Sequence, residues 1–334
     1  MSRRSAPLTV SLSPQGAIQP LSPSLTITAA PLAWVPTTPR PALESSRTTA
    51  EPGAPVAEMT KEAFWRETFP DLTINGTEGA GVAALDADRL GLVSERMRVE
   101  GYFQEADPEL VRLAGALSAG IERCAALSIP PVFVFLFDEA WQVFDRQRET
   151  LASLLGPGFQ VLPDFWAWRV DPQAGQAGWR PHRDKGYQSL RPDGTPMSLT
   201  VWVPLTEAKP SNGCMYLLPA DRDPVYGTAD EKNWKVDFPA IRALPGKPGD
   251  WFCWNQAVLH WGGQTSKFCH EPRMSIALEY QRGDVPAMNE PLLGTSPALG
   301  FEDRLRLIAK QILQYQHMYP LPRPMGDFAR ALSG

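Results

Sequence analysis

Histidine and cysteine are both scarce in this chain, with four of each among 334 residues. The cysteines, Cys124, Cys214, Cys253 and Cys269, form no CxxC pair and show no zinc-type spacing, and in a chain of this length they suggest no disulfide framework. A reducing, cytoplasmic setting is therefore expected. No uninterrupted apolar run approaches the ~20 residues that a membrane-spanning helix needs, so an integral membrane protein is not expected. Basic charge is not in excess either. Thirty-two Lys and Arg stand against 37 Asp and Glu, a net charge of -5, which argues against nucleic acid as the principal partner. What is present is an ordinary globular composition, 43% hydrophobic and 21% charged, long enough to bury one large core.

The chain divides by pattern. Residues 1–58 are crowded with Pro, Ser, Thr and Ala, lack any sustained period, and cannot bury enough apolar surface to offset the entropy of ordering. They are expected to be a disordered extension. With Arg3, Arg4 and Arg40 and no acidic residue before Glu44, they also fit an organelle-targeting segment or an over-extended gene start. Residues 59–334 read as a single domain. Apolar residues recur at three- and four-residue intervals over 61–69, 86–103, 108–127 and 138–155, which predicts a helical flank over 59–156. From Val161 the period falls to two, with runs at 161–170, 198–204, 213–219, 250–254, 258–262 and 273–282 separated by Gly, Pro and Asn turns. Short strands at uneven spacing predict a barrel or jelly roll spanning 161–283 rather than a parallel α/β sheet. A last helix is expected over 302–317, followed by a Pro-rich tail.

Chemistry concentrates in a few positions. His182 and Asp184 stand two apart in Trp179-Arg-Pro-His-Arg-Asp-Lys185, and in an extended segment such residues point to the same side, so an imidazole and a carboxylate can reach one ion. His260 follows in Val258-Leu-His-Trp-Gly-Gly263. Two imidazoles and one carboxylate make the facial triad of non-haem iron(II), which leaves three positions open; zinc is the competing metal. Taken alone, a His next to an Asp is more often a surface pair. Thirteen residues beyond His260, however, the run Arg273-Met-Ser-Ile-Ala-Leu-Glu-Tyr280 alternates so that Arg273 and Ser275 share a face opposite Met274, Ile276, Leu278 and Tyr280. A guanidinium fork with a neighbouring hydroxyl suits the far carboxylate of a dicarboxylic acid.

These residues resemble the phytanoyl-CoA dioxygenase family of 2-oxoglutarate-dependent oxygenases. The resemblance rests on an ordered set: His182-Arg-Asp184, the strand Leu199-Thr-Val-Trp-Val-Pro-Leu205, Asn212-Gly213, Gly249-Asp250, His260 and Arg273. It implies a mainly β fold with flanking helices, a double-stranded β-helix of the jelly-roll, cupin-like kind. It implies Fe(II) on His182, Asp184 and His260, 2-oxoglutarate on Arg273 and Ser275, and O2 as oxidant. The implied reaction is hydroxylation of an unactivated carbon of a small organic molecule, with release of succinate and CO2. One departure stands out: Pro219-Ala-Asp-Arg222 replaces the family's usual Pro-Gly-Ser-His, which places Asp221 and Arg222 at the expected pocket mouth. Asp184 is retained where the related halogenases carry a small residue, which favours hydroxylation over halogenation.

The tryptophans cluster between 161 and 262, and Trp179, Tyr187 and Trp202 are the candidate substrate contacts, although large rings also simply fill wide barrels. Lys185 and Arg191 are read as solvated charge. The run Gly79-Ala-Gly-Val-Ala-Ala84 imitates a dinucleotide fingerprint without a preceding strand and is read as a loop. His270 and His317 have no partner at ligand spacing. Two other readings remain at this point: a non-catalytic metal- or ligand-binding sensor on the same barrel, and a cupin-like metalloenzyme that does not use 2-oxoglutarate. Neither the substrate nor the oligomeric state can be read from the sequence.

Overall fold

The amphipathic stripe of residues 110–124 shows how the helices are placed. Leu110, Leu113, Ala114, Leu117, Ile121 and Cys124 recur at three- and four-residue steps, and all are buried on one side of a 17-residue helix. The computed structural model describes residues 56–76, 81–319 and 321–333. The chain separates into a unit of residues 1–50, outside the described residues, and a unit of residues 51–334. The expected extension, residues 1–58, therefore lies outside the described residues except for its last three, and Gly79 and Ala80 of the glycine-rich run lie outside them as well.

Along the second unit run α1 (Glu62–Thr68), α2 (Ala87–Val99), β1 (Tyr102–Ala106), α3 (Leu110–Ala126), α4 (Asp138–Asp145), α5 (Arg148–Leu155), β2 (Gln160–Val170), β3 (Ser198–Pro204), β4 (Met215–Leu218), β5 (Arg242–Leu244), β6 (Asp250–Asn255), β7 (Leu259–Gly262), β8 (Arg273–Gln281), α6 (Phe301–Tyr315) and α7 (Arg323–Ser333). All strand pairing is antiparallel. Five strands form one sheet in the order β1-β6-β3-β8-β2, and three form a second in the order β5-β4-β7. No closed barrel is formed by these pairings. None of the described helices is long and apolar enough to cross a membrane.

Alternation on β8 divides the large sheet into two faces. Met274, Ile276, Leu278 and Tyr280 pack with the helices in the main core, together with Phe133, Phe135 and Trp65. Each fully buried side chain of this size contributes roughly 1.5–3 kcal/mol. The opposite face turns toward the small sheet, where Trp202, Phe252, Trp254 and Ala277 meet Met215, Leu217 and Leu244 in a second cluster. The register aligns Ala277 with Trp166 on one side and Trp202 on the other, and Glu279 with Thr200. Those residues form the floor of the site.

Three expectations are corrected. The predicted helix over 86–103 ends at Val99, and residues 102–106 form a strand instead. Gly101, at φ +80°, turns the chain there; a Cβ at this position would lie 2.6 Å from Val258 Cγ2, and β1 gains the free edge of β6. The predicted helix over 138–155 is two helices, broken around Arg146 and Gln147. The tail after residue 317 is not featureless, because α7 packs Met325, Phe328 and Ala329 into the main core. Long-range packing decides each of these, and local periodicity cannot report it.

Candidate metal centre

His182 and His260 are brought together by backbone. The segment 177–182 runs antiparallel along β7, with isolated bridges at Ala177 to Gln264 and His182 to His260. Close approach at this crossing requires glycine: a Cβ on Gly178 would lie 2.4 Å from the Cα of Gly262. Next to it, His182 N–H donates to His260 O and His260 N–H to His182 O, each at 3.0 Å, so the rings stand side by side with centroids 4.4 Å apart. Asp184, two residues on, returns its carboxylate to the same side. Its Oδ1 lies 3.4 Å from Nε2 of both histidines.

The three side chains offer one donor atom each, all within 4.8 Å of one another, a set that could hold a metal ion. Three of their other polar atoms have partners. The Nδ1 of His182 lies 2.6 Å from Arg180 O, and the Nδ1 of His260 lies 3.1 Å from Val258 O. Each carbonyl accepts from Nδ1–H, which leaves the Nε2 atoms facing Asp184, where they can share a proton with the carboxylate or give it up to bind a metal. Asp184 Oδ2 accepts from Thr200 Oγ1 at 2.7 Å and from Trp254 Nε1 at 3.3 Å, and Thr200 in turn accepts from Gln256 Nε2 at 3.1 Å. Only Oδ1 stays free. Burial alone raises the Asp184 pKa, but the imidazoles, His260 foremost, outweigh it and hold the carboxyl well below its ordinary value. Burial lowers His182, and the Asp184 carboxylate more than reverses this.

Arg183, between the two candidate ligands, points the other way. Its guanidinium donates to Asp223 Oδ2 at 2.6 Å and to Ala257 O, which ties the segment to the loop after β4. Asp221 and Arg222 do not reach the cavity as expected. They are paired with one another at 3.1 Å on the surface, and Asp223 is the member of that loop that bears on the centre, through Arg183.

The centre opens into a cavity between the sheets. Arg273 lines it and is 2% exposed. Its Nη1 donates to Ser275 Oγ at 2.6 Å, its Cζ lies 5.8 Å from the Trp202 ring centroid, and its Nε has no hydrogen-bond partner. Among the described residues no carboxylate lies within 4 Å of it, in contrast to the buried Arg146 and Arg304. Burial pushes its pKa down to about 10, so it stays charged at neutral pH. Trp179 and Trp202 also line the cavity. Tyr187 does not. It is 37% exposed on a short 3-10 turn after Asp184, with its backbone N–H held by Glu231, and that turn carries it away from the centre.

Several lining groups escaped the sequence reading, among them Thr200, Trp254, Asp164 and Glu279. Lys185, read as solvated, lies 2.8 Å from Glu279 Oε2 and 3.8 Å from Asp164 Oδ2. Burial, with the charges of Asp164 and Asp184, outweighs Lys185 and pushes Glu279 up to about 8. Alternation from Arg273 would have found Glu279, since residues 273, 275, 277 and 279 share a face.

Residues 132–273, which span all three candidate ligands and Arg273, match the family model described as phytanoyl-CoA dioxygenase (PhyH). The chain carries a PhyH domain. Among curated proteins nothing matches. Among solved structures, the apo form of the non-haem monooxygenase ThoJ superposes at TM-score 0.51 and 18% identity, over 72% of this chain and 99% of that one. The epimerase SnoN, solved with Fe3+, alpha-ketoglutarate and nogalamycin RO, aligns at TM-score 0.47 and 19% identity, over 64% and 97% of the two chains. EctD from S. alaskensis, with 2-oxoglutarate and 5-hydroxyectoine, aligns at TM-score 0.42 and 16% identity, over 63% and 80%. The likeness to ThoJ is one of fold. Outside the PhyH domain, α6 also reaches the cavity, through Tyr315.

Proposed function

We propose that the protein is an Fe(II)- and 2-oxoglutarate-dependent oxygenase that hydroxylates an unactivated carbon of a small organic substrate, with release of succinate and CO2. In this reading the two sheets are the halves of a double-stranded β-helix. His182, Asp184 and His260 hold iron, and Arg273, steadied by Ser275, takes the distal carboxylate of 2-oxoglutarate. The observation that carries it is Arg273: a buried guanidinium with no anionic partner among the described residues lines the same cavity as the three-donor cluster. A buried charge without a partner is costly, and a dicarboxylate bridging from metal to guanidinium would supply that partner.

The donor set fits iron. Two neutral imidazole nitrogens and one carboxylate oxygen leave coordination positions for an oxidant, and iron bound there supplies the oxidising chemistry. The chain's own residues do the rest. Arg180 O and Val258 O fix the tautomers of the imidazoles. Thr200 and Trp254 occupy Asp184 Oδ2, so that the carboxylate binds through one oxygen and does not close a second position. Rings of Trp166, Trp168, Trp179 and Trp202 line the cavity and exclude water from the reacting carbon.

The test is an anaerobic titration of the protein with Fe(II) and 2-oxoglutarate, read by the visible metal-to-ligand charge-transfer band, in wild type and in Arg273→Ala. The reading expects a band that weakens in the variant. Bound iron without a band would sink the 2-oxoglutarate assignment in favour of a cupin-like enzyme or a sensor.

A further inference from the structure

The cavity wall changes sign along β8. Arg273 and Glu279 lie on the same face of the strand, six residues or about 20 Å of extended chain apart. Around Glu279 the surface is acidic. Its carboxyl and that of Asp164 on β2 both line the cavity, whereas the ammonium groups that answer them, Lys185 and Lys310, do not. Lys185 lies against both carboxyls, and Lys310 stands further back on the amide oxygens of Asn289 and Gln314, whose NH2 groups donate to Asp164.

Two more observations indicate what this end is built to receive. The rings of Trp166, Trp168, Trp179 and Tyr315 complete the wall, and aromatic faces attract a cation and disfavour an anion. The Trp166 side chain is 1% exposed, and its indole N–H has no hydrogen-bond partner among the described residues although the ring lines the cavity two positions from Asp164. A buried donor left open calls for an acceptor.

We propose that this end of the cavity takes the head of a small amine, its ammonium group on Glu279 and Asp164 against the aromatic rings, with a hydroxyl or carbonyl oxygen beside it accepting from Trp166. The substrate class is thus an amino alcohol or a related amine, bound on the side of the metal centre away from Arg273. This rests on the oxygenase reading only in making the bound amine the substrate. The selectivity itself needs neither iron nor turnover. The two ends divide the labour: a dianion is drawn to Arg273, while at the other end Glu279, a neutral acid at neutral pH in the empty site, releases its proton to solvent as it pairs with an ammonium group.

The probes are trans-2-aminocyclohexanol, cyclohexylamine, cyclohexanol and cyclohexanecarboxylate, titrated into the full-length protein and followed by tryptophan fluorescence. One series uses metal-free protein and a second uses protein saturated with Zn(II) and 2-oxoglutarate, so that the amine is kept off the metal. The two amines are expected to bind about tenfold tighter than cyclohexanol, with cyclohexanecarboxylate weakest. Glu279→Gln is expected to remove the amine preference and leave cyclohexanol unchanged, Lys185→Gln to strengthen amine binding, and Trp166→Phe to erase only the advantage of the amino alcohol over the simple amine. A preference for the carboxylate or the alcohol in wild type, or an amine preference that survives Glu279→Gln in a folded variant, overturns the proposal. Failure of 2-oxoglutarate to bind in the zinc series, with the amine preference intact, would remove the oxygenase reading and leave the amine site standing.

Discussion

His182 and His260 exchange both of their backbone hydrogen bonds, 3.0 Å each way, although they lie 78 positions apart and neither partner strand continues beyond a few residues. The spacing of the two imidazoles is therefore set by main chain, and side-chain packing only refines it. The first consequence concerns Gly262. A Cβ there would meet the Cα of Gly178 at 2.4 Å, a backbone atom that cannot swing aside. Gly262→Ala should force the two segments apart, lower stability by about 1–3 kcal/mol as overpacking does, and loosen metal binding with it. Thermal unfolding and a Co(II) titration monitored in the visible would check this. Unchanged metal affinity would mean that the pair at His182 and His260 tolerates the separation.

Thr200 should matter to the metal without touching it. Its hydroxyl donates to Asp184 Oδ2 while accepting from Gln256, so Thr200→Val removes a donor and keeps the shape. Metal affinity is expected to fall by about 10–100-fold, the usual cost of losing a group that orients a ligand, and Thr200→Ser should restore most of it. Isothermal titration with Zn(II) reads both. A Val variant that binds normally would leave Trp254 as the donor that orients Asp184.

The three-donor cluster of His182, Asp184 and His260 was legible in the sequence because its signal is local. An i, i+2 pair declares its own geometry, and four histidines leave few candidates for a third ligand. The mainly β half was legible from period-two runs for the same reason, although the expected barrel is not closed by the strand pairings. Thr200, Trp254 and Gln256 were not, because nothing in their neighbourhoods distinguishes a strand residue facing a carboxylate from one facing the core, and only the pairing register among β3, β6 and β8 makes the distinction. Lys185 was misread because a lysine next to a ligand looks solvated until the fold lays Glu279 and Asp164 over it. The strand at 102–106 was hidden because its helical periodicity lost to a tertiary pairing with β6.

Glu279 gives a pH dependence whose sign is fixed. Its carboxyl rises from 4.5 to about 8 in the fold, so across that window the folded protein binds a proton that the unfolded chain releases. The associated stability is present below pH 4.5 and is lost as pH climbs through about 8. In metal-free protein, Glu279→Gln should flatten the fall of Tm between pH 5 and 8 relative to wild type. Parallel profiles would show that Lys185 keeps the carboxylate charged throughout.

Arg273→Met separates a structural arginine from an anion site. If the guanidinium were compensated within the protein, removing it would break a network and lower Tm. Its contacts are a neutral hydroxyl and a ring, with Nε unpartnered. The free protein thus carries the desolvation cost of a buried cation without an opposite charge to offset it. Methionine, similar in length and apolar, relieves that cost, so the variant should unfold at the same temperature as wild type or a few degrees above it. The ligand response should move the other way. Zn(II) with 2-oxoglutarate at a hundredfold excess over its Kd should stabilise wild type by about 2.7 kcal/mol beyond zinc alone, from mass action, and should leave Arg273→Met where zinc alone left it. Differential scanning fluorimetry of both proteins under three conditions decides the matter. A variant that is destabilised and still responds to 2-oxoglutarate would make Arg273 part of the scaffold and move the carboxylate site elsewhere in the cavity.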